Sequence, residues 1–155
     1  MSSQDNFVNI NIYQPNKNET MREICLYCYH NPKSHSFKKI KEEVNLNNIG
    51  IVSYYTKVAD AALYYDTKSI IAHYRNELNR LGNKRWIWIF DGEGFSLKHA
   101  LNISLAKQLA KLITDDFNER LDNIIIRNPN FFTNMLLKSL WLFLDKKLKN
   151  KIIYE

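Results

Sequence analysis

Two thiols and two imidazoles fall within eleven residues of one another: Cys25, Cys28, His30 and His35. These are zinc-ligand types, and a structural zinc site needs four of them converging as a tetrahedron. The run Ile24 to Tyr29 is short and apolar, stops at Asn31-Pro32 and predicts a strand. Residues three apart on a strand point to opposite faces, so Cys25 and Cys28 are expected as buried, inert thiols rather than metal ligands. A thioredoxin-type pair would precede a helix, where Asn31-Pro32 stands instead. Gly92-Glu93-Gly94 suggests a phosphate loop, but the third glycine position of G-x-G-x-x-G falls on Leu97, which leaves a turn out of the sheet. Ser96 and His99 lack the elbow that exposes a nucleophile. Asp115, Asp116 and Glu119 are expected as solvated carboxylates at a helix end. The sequence therefore predicts no enzyme, no cofactor and no metal.

The segment Phe131 to Leu144 stands apart. Phe131, Phe132, Met135, Leu136, Leu137, Leu140, Trp141, Phe143 and Leu144 wrap most of a helical circumference, where a surface helix normally keeps a polar half. Lys146, Lys147, Lys149 and Lys151 follow directly. Bulky apolar groups beside lysines suit an interfacial membrane contact, with acyl burial and headgroup attraction acting together. A core helix with a solvated charged end has the same pattern, and the residues alone leave both readings open.

The elements around these residues alternate. Residues 1–20 form a polar, Asn-rich arm with a weak strand signal at Val8, Ile10 and Ile12. Phe37 to Asn45 is a charged, helix-like piece, Ile49 to Tyr55 predicts a strand, and residues 56–66 carry no clear signal. Asp66 is a candidate N-cap for a helix through Ile70, Tyr74 and Leu78 to Gly82. RWIWIF, residues 85–90, predicts a central strand covered on both faces. A helix over Leu97 to Phe117, a strand at Asn123 to Arg127, the helix from Phe131 and a strand over Lys151 to Tyr154 follow. Such alternation predicts an α/β domain with a mainly parallel sheet.

Composition sets the frame. The chain has 155 residues, 45% hydrophobic, with two cysteines and a net charge of +6. That length predicts one domain with a real core, and two cysteines exclude a disulfide scaffold and suggest a reducing compartment. No apolar run is long enough to span a bilayer, and no secretory signal pattern opens the chain. The excess charge favours anionic partners, but lysine outnumbers arginine 16 to 6, which fits an anionic surface better than base readout. Nucleic acid is not expected; a cytoplasmic protein is, peripherally membrane-associated under the interfacial reading of the Phe131 to Leu144 segment.

Five ordered segments carry a resemblance: IFDGEGFSL (89–97), DFNERL (116–121), IIIRNPNFF (124–132), LWLFLD (140–145) and NKIIYE (150–155). Together they resemble the CRAL-TRIO lipid-binding domain family of phosphatidylinositol- and tocopherol-transfer proteins, over a single domain at 21–155 that stops short of the family's C-terminal helix. The resemblance implies a sheet flooring an apolar cavity, closed by a gate helix at about 130–144. It implies cavity and gate residues Trp86, Trp88, Phe131, Phe132, Met135, Leu136, Leu140 and Trp141. It also implies a phosphoinositide-type headgroup site at Glu119 and Lys151. Non-enzymatic binding or transfer of a phospholipid or other hydrophobic small molecule would follow, with Lys146, Lys147 and Lys149 facing an anionic membrane. A divergent branch of the family instead binds small GTPases or their regulators, and two tryptophans filling the cavity would favour that alternative.

Overall fold

The sheet grows in one direction, and that decides where everything else sits. In the computed structural model, which describes residues 7–9 and 23–155, five strands lie in the order β3 (Lys38–Val44), β4 (Gly50–Thr56), β5 (Arg85–Asp91), β6 (Leu121–Arg127) and β7 (Ile152–Tyr154). Only β3 is antiparallel to its neighbour. The crossovers carry α2 (Thr67–Asn79), then α3 (Leu97–Ala100) and α4 (Ile103–Leu112), then α5 (Phe131–Leu140) and α6 (Lys146–Lys149). Right-handed crossovers between parallel strands added in one direction place their helices on the same face. Trp86, Trp88, Ile124 and Ile126 point into that layer and are buried. On the opposite face Ile87 and Ile125 are half-buried and Ile153 is exposed. Within β5 that opposite face is half-buried at Ile87 and buried at Ile89 and Asp91, so the central strand is covered on both faces as expected.

A smaller ribbon precedes the sheet. Strand β1 (Phe7–Asn9) pairs antiparallel with β2 (Glu23–Cys25), and α1 (Leu26–His30) starts at the next residue. The strand expected over Ile24 to Tyr29 is thus a strand end and a helical turn. Apart from Phe7–Asn9, the expected polar arm lies outside the described residues. Phe37 to Asn45 also departs from expectation, forming edge strand β3 rather than a helix. Pairing with β4 outweighs the helix preference of its Lys and Glu residues, and its charged side chains discourage further strand addition. The single helix expected over Leu97 to Phe117 is broken at Leu101 and Asn102, where the Asn102 amide donates to the Tyr64 carbonyl at 3.2 Å. It ends in a widened turn over Ile113–Phe117 that buries Ile113 and Phe117.

Other signals were legible at the residue. Asp66 caps α2 by accepting from the Ser69 N–H at 3.3 Å, and Gly82 beyond its end has φ +59°. Leu78, Leu81, Trp86, Ile113, Phe117 and Leu121 then pack the end of the core nearest the start of β5.

Candidate ligand-binding site

Between the helical face of the sheet and helices α4, α5 and α6 lies an apolar cavity of about 110 Å³. Trp88, Phe90, Ile124, Ile126 and Ile152 form its floor, Ala106, Leu109 and Ala110 one wall, and Leu136, Leu137, Leu140, Leu144 and Leu148 the roof. Thr133 is the one polar residue on its border, and its hydroxyl already donates to the Asn130 Oδ1 at 3.2 Å. A second cavity of about 80 Å³ shares Phe90, Ala106, Leu109 and Leu136 with the first and extends past Tyr74 and Phe37 to His35. No polar group is left to recognise a headgroup inside the first cavity, so what fits there is hydrocarbon.

The roof is lightly held. Of the ten residues of α5, only Thr133 and Leu140 are buried. Its start is fixed from the sheet side. The Asn130 Oδ1 caps the Thr133 N–H at 3.0 Å, and its amide donates to the carbonyls of Gly92 and Phe95 at 3.1 and 2.8 Å. A Cβ on Gly92 would stand 2.7 Å from the Thr133 hydroxyl and 2.8 Å from the Asn128 carbonyl, so glycine permits this close approach. The preceding residue, Asp91, accepts from the Tyr55 O–H at 2.5 Å, the Glu93 N–H at 2.9 Å and the Asn128 amide at 3.1 Å. Burial pushes the Asp91 carboxyl up, but these donors outweigh it and hold it below the ordinary range. Burial and the Asp91 charge raise the Tyr55 phenol to about 12.

The residues implied by the resemblance separate into groups. Trp88, Leu136 and Leu140 border the cavity. Trp86 is fully buried outside it, its indole N–H donating to the Phe117 carbonyl at 3.0 Å. Phe132 and Met135 are half-buried on α5 away from the cavity lining, and Phe131 is 73% exposed. The expected gate helix ends at Leu140 and continues as a tight turn over Trp141–Phe143, where Trp141, Leu142 and Phe143 are all exposed. Lys149 lies 5.2 Å from the Trp141 ring and Lys107 3.9 Å from that of Phe143. Lys146 and Lys147 are exposed beside them. The Lys151 ammonium is anchored by the backbone and side-chain oxygens of Asn118, the latter at 2.8 Å. Burial, then the nearby Arg85 guanidinium, holds Lys151 below the usual lysine range. Glu119, next to Asn118, is exposed. Neither Lys151 nor Glu119 borders the apolar cavity.

The motifs set aside as structural behave as such. Ser96 and His99 form a capping box, with the Ser96 Oγ 3.1 Å from the His99 Nδ1. Asp115 pairs with Lys111 at 2.9 Å and Asp116 with Arg75 at 3.0 Å, on the surface. Cys25 and Cys28 do not take the opposite faces expected of them. Cys25 and Cys28 straddle the junction of β2 and α1, and both thiols converge on His35. His73, on α2, joins them, whereas His30 is exposed. Nothing in local spacing points to His73, which is 45 residues from Cys28.

No helix among the described residues is long and apolar enough to cross a membrane. A search of curated proteins finds no match. A crystal structure of Sfh5 is similar in fold at a TM-score of 0.58 and 12% sequence identity, over 81% of this chain and 50% of that one. The chain therefore spans half the length of that structure. The family model for the CRAL/TRIO domain matches residues 10–155, and the chain belongs to the CRAL/TRIO family, whose domains are of the lipid-binding type.

Proposed function

We propose that this protein binds the hydrocarbon part of a phospholipid or similar amphiphile beneath α5 and docks reversibly on anionic membranes through the Trp141 to Lys149 face. The observation that carries this reading is the cavity itself: its lining is hydrocarbon, and its roof is a helix with only two buried residues. At about 110 Å³ it is smaller than the roughly 300 to 1,000 Å³ of ordinary ligand sites. Ligand entry therefore requires α5 to move outward, away from the floor made by Trp88 and Ile124. Such movement exposes apolar surface, and an acyl boundary next to Trp141, Leu142 and Phe143 would receive it. Lys151 and Glu119 are proposed to meet the headgroup outside the cavity, with the lysine as a compact positive charge. The role is that of a carrier and includes no chemical step.

Native mass spectrometry of protein purified from cells, followed by lipid extraction, tests this directly. One bound lipid per chain, displaced by an added lipid in a saturable way, supports the reading. Protein free of lipid that also takes none from vesicles overturns it. A second reading has its own support: Trp86 and Trp88 fill much of the sheet's helical face, as an adaptor for a small GTPase or its regulator would tolerate. Under that reading the exposed aromatic turn contacts protein, and its contact survives without anionic lipid.

A further inference from the structure

We infer that Cys25, Cys28, His35 and His73 form a structural zinc site that ties the segment before β3 to helix α2. Their four donor atoms lie within 4.8 Å of one another, and Cys25, His35 and His73 are buried while Cys28 is half-buried. The Cys25 Sγ and the Cys28 Sγ each stand 3.4 Å from the His35 Nδ1, and the Cys28 Sγ stands 3.9 Å from the His73 Nδ1. In a tetrahedron with Zn–S near 2.3 Å and Zn–N near 2.0 to 2.1 Å, sulfur and nitrogen ligands are about 3.6 Å apart. The observed spacings bracket that value.

The far sides of the two imidazoles carry the argument further. The His73 Nε2 stands 2.7 Å from the Phe37 carbonyl, which can only accept. That nitrogen therefore bears the proton, and Nδ1 presents its lone pair to the thiols. The His35 Nε2 meets the Ser69 Oγ at 3.1 Å, and the Ser69 hydroxyl is already spent on the Asp66 carbonyl at 3.1 Å. His35 is thereby held in the same tautomer. Two imidazoles, each with Nδ1 free and Nε2–H engaged by an oxygen, match the outer hydrogen bonds that orient metal-bound histidines. Two thiols release two protons as they bind, and the resulting thiolates balance a divalent charge. Two sulfur and two nitrogen ligands with no fifth position favour zinc over harder cations, in a closed structural site.

The ligands come from three places: the β2–α1 junction, the loop before β3, and the middle of α2. Zinc would clamp the short, weakly packed α1, none of whose residues is buried, and would fix the His35 wall of the second cavity.

The test is the metal content of the full chain expressed in zinc-supplemented medium and purified without chelator under reducing conditions. One zinc per chain is expected, falling at least tenfold in Cys28→Ser and in His73→Asn. Cobalt(II) added to the demetallated wild type should give the intense visible bands of a tetrahedral site and a thiolate-to-cobalt charge-transfer band. The wild-type cobalt spectrum decides the matter even where a variant fails to fold. Zinc-free wild type whose cobalt spectrum is only that of the hydrated ion overturns the site. A Cys25–Cys28 disulfide in freshly reduced and repurified protein, with no metal, overturns it equally.

Discussion

The two ends of the helical layer are both apolar, yet they are packed to different standards. At the start of β5, Leu78, Leu81, Trp86, Phe117 and Leu121 belong to the buried core and border neither of the two cavities, and Ile113 packs between them and the first. Toward the other end, Trp88 and Phe90 face a void whose roof, α5, exposes Phe131 and runs into a turn with Leu142 90% exposed. Interiors pack to crystal-like density, and voids forfeit contacts on one side. One end is therefore committed to holding the chain folded. The other retains apolar surface that folding alone does not bury, which is what a site for a hydrophobic ligand requires.

Breaking the packed end should give the largest effect. Trp86→Ala removes a fully buried ring and leaves the Phe117 carbonyl without its indole partner. A loss of about 3 to 5 kcal/mol in unfolding free energy is expected, read from urea midpoints. Leu136→Ala, on the half-buried roof, should cost about 2 kcal/mol or less by the same measurement. Equal losses at the two positions would show that the ends do not differ. A filling change, Ala110→Leu, sharpens the contrast: lipid uptake should fall at least tenfold while the urea midpoint holds or rises.

How much of this could be read from the sequence follows the same division. A period-3.6 pattern with a cap at Asp66 marks α2, and the unbroken apolar run RWIWIF marks β5, because local rules and burial agree there. Strand β3 escaped because Lys38, Lys39, Lys41, Glu42 and Glu43 are helix formers, and its strand character comes entirely from pairing with β4. The expectation that Cys25 and Cys28 point to opposite faces rests on a strand through both, and it fails because a helix begins one residue after Cys25 with no capping residue to announce it. His73 joins them only through the tertiary placement of α2. The cavity's existence followed from the family resemblance. Its small volume did not, since it depends on how Trp88 and the leucines of α5 and α6 mesh.

Charge reversal probes the loose end without touching the packed one. Lys146→Glu, Lys147→Glu and Lys149→Glu together should leave the urea midpoint nearly unchanged. Three lysines near an anionic leaflet contribute about 3 kcal/mol, so vesicle binding should drop on the order of 100-fold. Wild-type binding should weaken as salt shortens the screening length. Failure of wild type to sediment with anionic vesicles at low salt would reduce these lysines to a solvated helix end. Trp141→Ala should act more gently, about 1 kcal/mol for partial burial of a half-exposed ring, with the salt dependence of the remaining binding unchanged.

The smallest effect concerns the brace beneath the roof. Asp91 is held below its ordinary pKa range, so its ionised form is favoured in the folded state. Its stabilisation is present above the unfolded-state value of about 3.9 and is lost as pH falls through the lower folded value. Asp91→Asn should therefore be less stable than wild type at pH 7, and the two should converge as the pH is taken below about 4. Glu42 and Glu155 are also held low by their ion pairs and titrate in the same range, so the informative quantity is the difference between variant and wild type. A gap that stays constant down to acid pH would mean that the aspartate acts through shape alone. The same variant connects the brace to the roof. Asp91 fixes the turn whose Gly92 and Phe95 carbonyls hold Asn130 at the start of α5. Loosening it should free that end of the helix and speed lipid exchange at neutral pH, before any change in vesicle affinity. Faster exchange with unchanged docking would place the hinge of the roof at Asn130; unchanged exchange would mean that α5 opens from its Leu140 end.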